Sequence, residues 1–389
     1  MEEFFDLDEE ARKLSDDRYE RQKRISWWNQ KILEKSHVLV VGAGTLGNEV
    51  CKNLALLGIG NITIIDNDTI EEVNLSRSIL MRQQDKGKNK AKVIATHMNE
   101  INSNLSINPI DCDIIYEFGS GNYRDFDLVL MTVDNLEARL WINRYCYMWS
   151  KPLIDGGLNA LTCTMQVIEP PLSPCYECSF TGDHYRSIRK KYSCDGLKRN
   201  APEGKIAMVI TSAAICAGLM TQEAVKILHK FPSSLSGKRI TIDGETNEFN
   251  IVDLNRRESC LGHQTNLKDV LYLPYTSQTY LFDLKMMVMD RLNCDDVEIE
   301  HDKSILYKLV CPKCGIEKDY LEIAAKVKED EVICRQCGSS LLPEISGILK
   351  RDGCILADHG IPENHVLRVY LGDGNLKYLA QEPNRHETL

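Results

Sequence analysis

The sequence predicts an α/β protein with a doubly wound, mostly parallel sheet, followed by a small α+β domain that carries a zinc ribbon. Three observations predict this: a glycine-rich turn between a strand and a helix, short apolar strands that alternate with helical segments, and a change of character beyond residue 263. The chain has 389 residues, of which 43% are hydrophobic, so we expect two or three domains.

The first predicted unit is a helical segment over residues 1–35, because Trp27, Trp28, Ile32 and Leu33 recur at helix spacing. Alternating strands and helices then predict a sheet with helices on both of its faces. Its strands are expected at 37–42, 61–66, 107–114, 127–133 and 152–155, and strands at 161–169, 238–243 and 248–253 extend it.

The glycine-rich turn reads Gly42-Ala43-Gly44-Thr45-Leu46-Gly47 and joins the first strand to a helix. Glycines at the first, third and sixth places let the backbone turn sharply and present N–H groups to phosphate oxygens. Asp66 ends the second strand, where an acidic side chain can accept hydrogen bonds from ribose hydroxyls. These features predict a nucleotide site, and the alternative is a tight turn that binds nothing.

Two cations and a carboxylate indicate which kind of nucleotide the predicted site binds. Arg77 and Lys90 follow the second strand, and Asp134 ends the strand over residues 127–133. A triphosphate needs cations over its oxygens, and a carboxylate at the carboxyl end of a strand can hold Mg²⁺. These three charged residues favour ATP. The glycine fingerprint alone would also allow the NAD of a dehydrogenase. Any one of these charged residues, taken alone, is explained equally well as a solvated surface group without a binding role.

In their order along the chain, these motifs resemble the Rossmann-like adenylation domain shared by MoeB, ThiF and the ubiquitin-activating enzymes. The resemblance covers about Arg18 to His263. It is carried by Arg18-Tyr19-Glu20-Arg21-Gln22, the glycine turn, Asp66-Asn67-Asp68, Asn74 and Arg77, Gly87 to Ala91, and Asp134-Asn135 with Arg139. It implies that ATP and the C-terminal glycine carboxylate of a ubiquitin-like protein react to give an acyl adenylate and pyrophosphate.

The resemblance also implies a role for each matching residue. Gly42, Gly44 and Gly47 line the nucleotide, Asp66 binds the ribose, Asn74 contacts the nucleotide, Arg77 and Lys90 hold phosphates, Asp134 holds Mg²⁺, and Arg21 reaches the phosphates from the partner subunit of a homodimer. One departure is visible, because the family's Asn-x-x-Arg-Gln reads Asn74-Leu75-Ser76-Arg77-Ser78 here. Ser78 lacks the side-chain amide of the family's glutamine, so that contact is not expected here.

The chain has 15 cysteines, and four of them have the spacing of a zinc ribbon. Cys311-x2-Cys314 and Cys334-x2-Cys337 are each followed by glycine, a pattern in which four thiolates close a tetrahedral zinc site. Four protein ligands leave no open position, so this zinc is expected to be structural. The alternative is a chance pairing of cysteines.

A second zinc site is implied by the resemblance, because family members join two Cys-x2-Cys pairs around zinc at corresponding places. Here the ligands would be Cys175, Cys178 and Cys260, with His263 in place of the last thiolate. Zinc accepts either ligand. The alternatives are a surface histidine and a redox dithiol.

Cys194 lies in the basic segment from Arg186 to Arg199, where positive charges stabilise a thiolate. Its position matches that of the thioester cysteine in relatives that go beyond adenylation, which implies transfer to a conjugating enzyme. The alternative is an incidental cysteine in a basic loop, and some relatives that only adenylate also carry a cysteine near this position.

Beyond residue 263, the sequence predicts strands at 270–272 and 279–282 and an amphipathic helix at 283–292, leading into the ribbon at 311–337. The predicted division is thus an N-terminal segment, 1–35, an adenylation domain, 36–263, and a C-terminal domain, 264–389. The resemblance implies a ubiquitin-like fold for this last domain. The alternative is a zinc-stapled extension that stabilises the dimer.

Charge and hydrophobicity exclude other classes. A net charge of -10 argues against nucleic-acid binding, and no uninterrupted run of about 18 apolar residues is present to span a membrane. The acidic start lacks the features of a signal peptide, so we expect a cytoplasmic protein. The leading hypothesis is an activating enzyme for a ubiquitin-like protein. The alternatives are adenylation of a sulfur-carrier protein, an NAD-dependent dehydrogenase and an inactive scaffold.

Overall fold

The structure is a computed structural model that describes residues 18–192, 197–199, 207–263, 267, 270–372 and 374–383. Within these ranges the strands form an eight-stranded sheet and a six-stranded sheet. Residues 1–17 of the predicted N-terminal helical segment and Cys194 lie outside the described residues. The predicted domain boundaries remain predictions.

The elements of the first sheet and its helices follow one another in chain order. They are α1 (Glu20–Lys23), α2 (Gln30–Lys35), β1 (His37–Val41), α3 (Thr45–Leu57), β2 (Asn61–Ile65), α4 (Lys90–Ile101), β3 (Ser106–Ile110), β4 (Leu128–Met131), α5 (Leu136–Met148), β5 (Leu153–Asn159), β6 (Thr162–Ile168), α6 (Gly182–Arg189), α7 (Ile210–Leu228), β7 (Lys238–Asp243) and β8 (Glu248–Asp253). Short 3₁₀ turns at Glu72–Asn74, Gln83–Asp85, Ser120–Asp125, Tyr176–Ser179 and Leu261–His263 complete this part.

The eight strands lie in the order β3-β2-β1-β4-β5-β6-β7-β8. The first five are parallel, and β6, β7 and β8 extend the sheet in antiparallel pairs. The predicted mostly parallel sheet is therefore confirmed. The strand order reverses between β1 and β4, the place where open α/β sheets form a crevice for ligands.

Alternate residues of β1 belong to different cores on the two faces of the sheet. Val38 and Val40 pack in a core with residues of α3, α4 and α7. Leu39 and Val41 pack on the other face with residues of α5. Because helices cover both faces, the carboxyl edge of the sheet is the place where loops can surround a ligand.

The second sheet follows residue 270 and has the order β11-β10-β13-β14-β9, with β12 also paired to β10. Its elements are β9 (Val270–Leu273), α8 (Leu281–Leu292), β10 (Val297–Val310), β11 (Glu317–Ile323), β12 (Leu342–Ile348), β13 (Leu367–Leu371) and β14 (Leu376–Gln381), with 3₁₀ turns at Ala324–Lys326, Glu329–Glu331 and Leu356–His359.

The strand predicted at 279–282 is wrong. Leu281 begins α8 instead, because its buried side chain belongs to the helix face that includes Leu284 and Val288. Ubiquitin-like character of this part stays a prediction. In the part of the chain that the structure describes, no helix combines the length and the hydrophobicity needed to cross a membrane.

Candidate active site and metal centres

A cleft of about 510 Å³ opens at the carboxyl edge of the parallel strands. It lies where the loops after β1, β2, β3 and β4 converge with the end of β5. Seven of the residues that the sequence predicts for nucleotide and magnesium binding line it: Gly42, Gly44, Asp66, Asn74, Arg77, Lys90 and Asp134. The fold thus brings together residues spread over more than ninety positions.

The glycine turn is held against the sheet, and each of its glycines has a different environment. Gly42 has φ +96°, and a Cβ there would lie 3.0 Å from the backbone of Thr132. Gly44 is the N-cap of α3 and has no atom within 4 Å of a Cβ position, so it leaves open space in the cleft. The N-terminus of α3 therefore faces the cleft, where its dipole favours an anion.

Gly47 is predicted to line the nucleotide, but the structure places it behind the turn. A Cβ on Gly47 would overlap the carbonyl oxygen of Gly42 and lie 2.9 Å from Oγ1 of Thr132. Gly47 therefore permits close packing of α3 against the turn, and it is not among the residues that line the cleft.

Asp66 supports the turn directly, because its Oδ2 accepts a hydrogen bond from the Ala43 N–H at 2.6 Å and its Oδ1 accepts one from the Asp68 N–H at 2.8 Å. Burial raises the pKa of Asp66, and the nearby Lys90 ammonium opposes this shift. The carboxylate thus holds the glycine turn in place and also faces the cleft.

The two predicted phosphate-binding cations are both anchored by short polar contacts. Arg77 Nε donates to Oγ1 of Thr45 at 3.0 Å, in the first turn of α3. Lys90 Nζ lies 2.7 Å from Oδ2 of Asp68. The Asn89 side chain caps α4, and its Nδ2 donates to the Asp66 carbonyl at 2.8 Å, which fixes α4 against the cleft.

Arg139 and Thr132, to which the sequence motifs assign no role, organise the loop beside Asp134. Arg139 forms an ion pair with Asp155 and donates to the carbonyl oxygens of Val133 and Gly156, the latter at 2.9 Å. Thr132 Oγ1 donates to the carbonyl oxygens of Val41 and Gly42 at 2.9 and 2.7 Å. The sequence signal for Arg139 was its spacing, four residues after the Asn135 that caps α5.

Arg21 lies away from the cleft of its own chain. It belongs to the short helix α1, and its side chain is exposed. The neighbouring Gln22 donates to the Leu57 carbonyl at 3.3 Å, at the end of α3 opposite the cleft. Because a 13-residue helix is about 20 Å long, Arg21 does not reach the cleft of the same chain.

Two tetrads of metal-ligating side chains match the predicted zinc sites. The first consists of Cys175, Cys178, Cys260 and His263, whose ligand atoms all lie within 4.8 Å of one another. Cys175 and Cys260 sulfurs are 3.6 Å apart, and Cys178 Sγ is 3.3 Å from Nε2 of His263. The arrangement fits a four-coordinate zinc, with the histidine ring directed at the thiolates rather than at solvent.

The second tetrad consists of Cys311, Cys314, Cys334 and Cys337. Sulfur separations of 3.4, 3.6 and 3.8 Å join Cys311 to Cys337, Cys314 to Cys334 and Cys314 to Cys337. A tetrahedron with zinc–sulfur bonds of about 2.3 Å places its sulfurs about 3.8 Å apart, so these residues fit zinc.

Known proteins resemble this chain over the region that contains the cleft. The ThiF family matches residues 19–262. The NEDD8-activating enzyme E1 catalytic subunit of Dictyostelium discoideum is 40% identical over 155 residues, which are 36% of this chain and 35% of that protein. The adenylyltransferase and sulfurtransferase MOCS3 of Anopheles gambiae is 29% identical over 253 residues, covering 63% of this chain and 55% of that protein.

A solved structure, that of E. coli MccB with ATP, is similar with a TM-score of 0.55 and 26% identity. The similarity covers 65% of this chain and 75% of that chain. The matched region thus spans about a third of the length of the NEDD8-activating relative and about half of the MOCS3 relative.

Proposed function

The chain belongs to the ThiF family, a family of adenylyltransferases, and from that membership we propose that it is an activating enzyme for a ubiquitin-like protein. In this proposal it adenylates the C-terminal carboxylate with ATP, forms a thioester on Cys194 and passes the acyl group to a conjugating enzyme. The observation that carries the proposal is the convergence of Arg77, Lys90 and Asp134 around the glycine turn in one cleft.

The first half-reaction transfers adenylate to the carboxylate. A carboxylate oxygen attacks the α-phosphorus of ATP, the bond to the bridging oxygen of the β-phosphate breaks, and pyrophosphate leaves. Negative charge builds on the leaving group, and Arg77 and Lys90 are fixed where they can stabilise it. No protein base is needed, because the attacking carboxylate is already ionised at neutral pH.

Other groups of the cleft position the nucleotide. The glycine turn and the N-terminus of α3 present N–H groups to phosphate oxygens, and Asp66 faces the ribose. Asn74 completes the lining beside Arg77. Mg²⁺ supplies additional positive charge at the phosphates when bound, and Asp134 offers the carboxylate ligand that it prefers.

The second half-reaction is the proposed role of Cys194, which lies outside the described residues. Its thiolate attacks the carbonyl carbon of the acyl adenylate, the bond from that carbon to the phosphate oxygen breaks, and AMP leaves. The basic residues around Cys194 in the sequence favour the thiolate form. A conjugating enzyme then accepts the acyl group by exchange of one thioester for another.

Arg21 is proposed to act across a homodimer, because its neighbour Gln22 contacts the end of α3 that is opposite the cleft of its own chain. In the dimer it reaches the phosphates bound to the partner subunit.

Both zinc sites are proposed to be structural, because each has four protein ligands.

Isotope exchange between pyrophosphate and ATP tests the adenylation step, with purified candidate ubiquitin-like proteins supplied in turn. We expect exchange that depends on Mg²⁺ and on the modifier. Calorimetry with ATP and NAD on the same protein is the control. Tight NAD binding with no ATP binding would overturn the proposal in favour of a dehydrogenase.

A second candidate function is adenylation of a sulfur-carrier protein without a thioester step. The observation that favours it is the longer alignment with MOCS3, 253 residues against 155 with the NEDD8-activating relative. A non-reducing gel after incubation with ATP, Mg²⁺ and modifier separates the two. A thiol-sensitive adduct that disappears in Cys194→Ala supports the activating enzyme, and exchange without an adduct supports the second candidate.

A further inference from the structure

Strands β4 and β5 separate from each other at the cleft. Their parallel ladder ends where Met131 lies opposite Asp155, and the residues that follow on both strands line the cleft. A backbone carbonyl that leaves a ladder needs another hydrogen-bond donor. On the β4 side, the separating backbone leads through Val133 to Asp134, the proposed ligand of Mg²⁺. The place of that carboxylate therefore depends on what holds the separated backbone.

The side chain of Arg139 fills the gap between the separating strands. One terminal nitrogen forms the ion pair with Asp155, and the other donates to the carbonyl oxygens of Val133 and Gly156, the latter at 2.9 Å. Arg139 is 8% exposed and Asp155 is 5% exposed. The guanidinium therefore bridges β5 and the loop after β4 at a place that is almost closed to water.

These contacts distinguish Arg139 from the cations that are proposed to hold phosphates. Both of its terminal nitrogens are engaged by protein acceptors, and its charge is balanced by the buried carboxylate of Asp155. Lys90, in contrast, pairs with the exposed carboxylate of Asp68. Displacing one member of a buried ion pair leaves an uncompensated charge, which is costly. Arg139 is thus placed to hold the protein backbone, although it lines the cleft.

Asp134 lies between two fixed points of the chain. The Val133 carbonyl that Arg139 holds belongs to the same planar peptide unit as the Asp134 N–H, so this bond fixes the backbone on one side of Asp134. On the other side, the Asn135 side chain accepts the Ala138 N–H at 2.7 Å and caps α5. The direction in which the Asp134 carboxylate leaves the backbone therefore depends on Arg139.

Helix α5 has an attachment of its own and does not depend on Arg139 for its position. About one turn further along the helix, Arg144 donates to the buried Glu177 carboxylate at 3.1 and 2.9 Å, and the Asn143 side chain accepts the Tyr176 N–H at 2.9 Å. Both partners belong to the turn that bears the first two cysteines of the first zinc tetrad. Loss of the Arg139 bonds should therefore loosen the loop after β4 and leave the helix in place.

We propose that Arg139 is a positioning residue for the magnesium ligand: by bridging Gly156 and Val133, it fixes the direction of the Asp134 carboxylate. The inference rests on the proposed function, in which Asp134 holds Mg²⁺ beside the phosphates. Mg²⁺ demands nearly ideal octahedral geometry, so a loosely held carboxylate binds it more weakly. Replacing a residue that orients a metal ligand typically lowers the metal affinity by about 10- to 100-fold.

The experiment compares Arg139→Lys with Arg144→Lys in the full chain. Lysine keeps the charge opposite the buried carboxylate, but a single ammonium does not reproduce the fork of a guanidinium. We expect Arg139→Lys to raise the Mg²⁺ concentration for half-maximal pyrophosphate exchange by about tenfold, and to keep the rate at saturating Mg²⁺ within about threefold of the parent. Arg144→Lys loses the same kind of bonds on the same helix and should shift neither value.

Binding of Mn²⁺ together with a non-hydrolysable ATP analogue, followed by electron paramagnetic resonance, gives a readout that is independent of catalysis. We expect Arg139→Lys to weaken Mn²⁺ binding by about tenfold as well. Should the lysine variant fail to fold, the double variant Arg139→Met with Asp155→Leu takes its place, because removing both members of a buried ion pair leaves no unpaired charge. The same loss of Mn²⁺ affinity is expected for it.

An unchanged Mn²⁺ affinity in Arg139→Lys would overturn the inference. An equal shift in Arg144→Lys would also overturn it, since the effect would then come from the attachment of α5. The proposed function fails by a different result, the absence of pyrophosphate exchange in the parent protein. In that case the Mn²⁺ affinities still decide the role of Arg139, and a parent protein that binds no Mn²⁺ would overturn that role.

Discussion

The Lys90 ammonium lies 2.7 Å from the Asp68 carboxylate at the edge of the cleft. Lys90 is the first residue of α4 and its side chain is only 11% exposed, whereas the Asp68 side chain is 67% exposed. The ammonium is therefore mostly removed from water and directed into the cleft, while its partner remains solvated. A phosphate oxygen can replace the carboxylate at little cost, because exposed carboxylates are well hydrated.

The contrast between Lys90 and Lys92 gives a matched test of this cation. Both are lysines in the first turn of α4, but Lys92 is exposed and pairs with Asp111 away from the cleft. We expect Lys90→Ala to lower pyrophosphate exchange by roughly 100-fold or more, since a fixed charge on the transferring phosphates is lost. Lys92→Ala should leave the exchange rate unchanged. Equal loss in both variants would contradict the assignment of Lys90.

The glycine turn allows folding and nucleotide binding to be separated. Gly47→Ala places a Cβ against the Gly42 backbone, so we expect the free energy of unfolding to fall by about 3 kcal/mol. Gly44→Ala places its Cβ in open space within the cleft. That variant should unfold like the parent in thermal denaturation and bind ATP more weakly in calorimetry. Unaltered ATP affinity in Gly44→Ala would place the phosphates elsewhere.

Much of this cleft could be predicted from the sequence because its parts have local signatures. The glycine turn follows an apolar strand, and Asp66 and Asp134 each follow strands that prove to be parallel neighbours of β1. Arg139, in helix α5, could not be assigned a role in the same way, because its partner Asp155 is 16 residues away on strand β5. That pairing depends on how α5 packs against β5, which local patterns do not determine.

The C-terminal part was harder to predict for the same reason. The residues of β10 pair with three different strands, β11, β12 and β13, and two of these follow the ribbon. Such long-range pairing has no sequence signal of its own, because each strand shows only the alternation of hydrophobic and polar residues that is typical of any β-strand. The ribbon cysteines were predicted correctly as a group, because zinc requires their short spacing. The presence of Leu197 in the same hydrophobic cluster as Cys311 and Cys334, more than a hundred residues later, had no local signal.

Zinc content tests both tetrads together. We expect two zinc ions per chain by elemental analysis of the purified protein, because each tetrad offers four ligands within bonding range of one ion. His263→Ala should lower the content toward one, and His263→Cys should restore two, since zinc accepts either ligand. A content of two in His263→Ala would show that His263 is not a ligand of the first site.

A buried polar cluster in the C-terminal part predicts a dependence of stability on pH. His301 is 1% exposed, its Nδ1 accepts the Lys303 N–H at 2.7 Å, and its ring stacks on that of His365. Burial lowers the pKa of His301 to about 4. The positive charge of Lys303 also lowers this pKa, whereas the negative charge of Asp302 raises it. The folded protein thus holds this imidazole neutral.

The sign of the effect follows from the direction of that shift. Between pH 6.5, the ordinary value, and about 4, the unfolded chain binds a proton that folded His301 does not, so stability is lost as the pH falls through this window. We expect a contribution of about 3 kcal/mol over the range. His301→Asn keeps an acceptor at the Nδ1 position and should flatten the profile of denaturation midpoint against pH. An unchanged slope would contradict a buried neutral His301.

Complementation between two inactive variants tests whether Arg21 acts across a dimer. Arg21→Ala and Lys90→Ala should each have little exchange activity when assayed alone. In a mixed dimer, one cleft combines Lys90 of its own chain with Arg21 of the partner, and the other cleft has neither. After subunit exchange, we expect roughly a quarter of the parent rate, because half of the dimers are mixed and each has one intact cleft. Arg24→Ala, on the same exposed stretch, is the control that should retain activity alone. No recovery in the mixture, with dimers present by light scattering, would mean that Arg21 does not complete the partner's cleft.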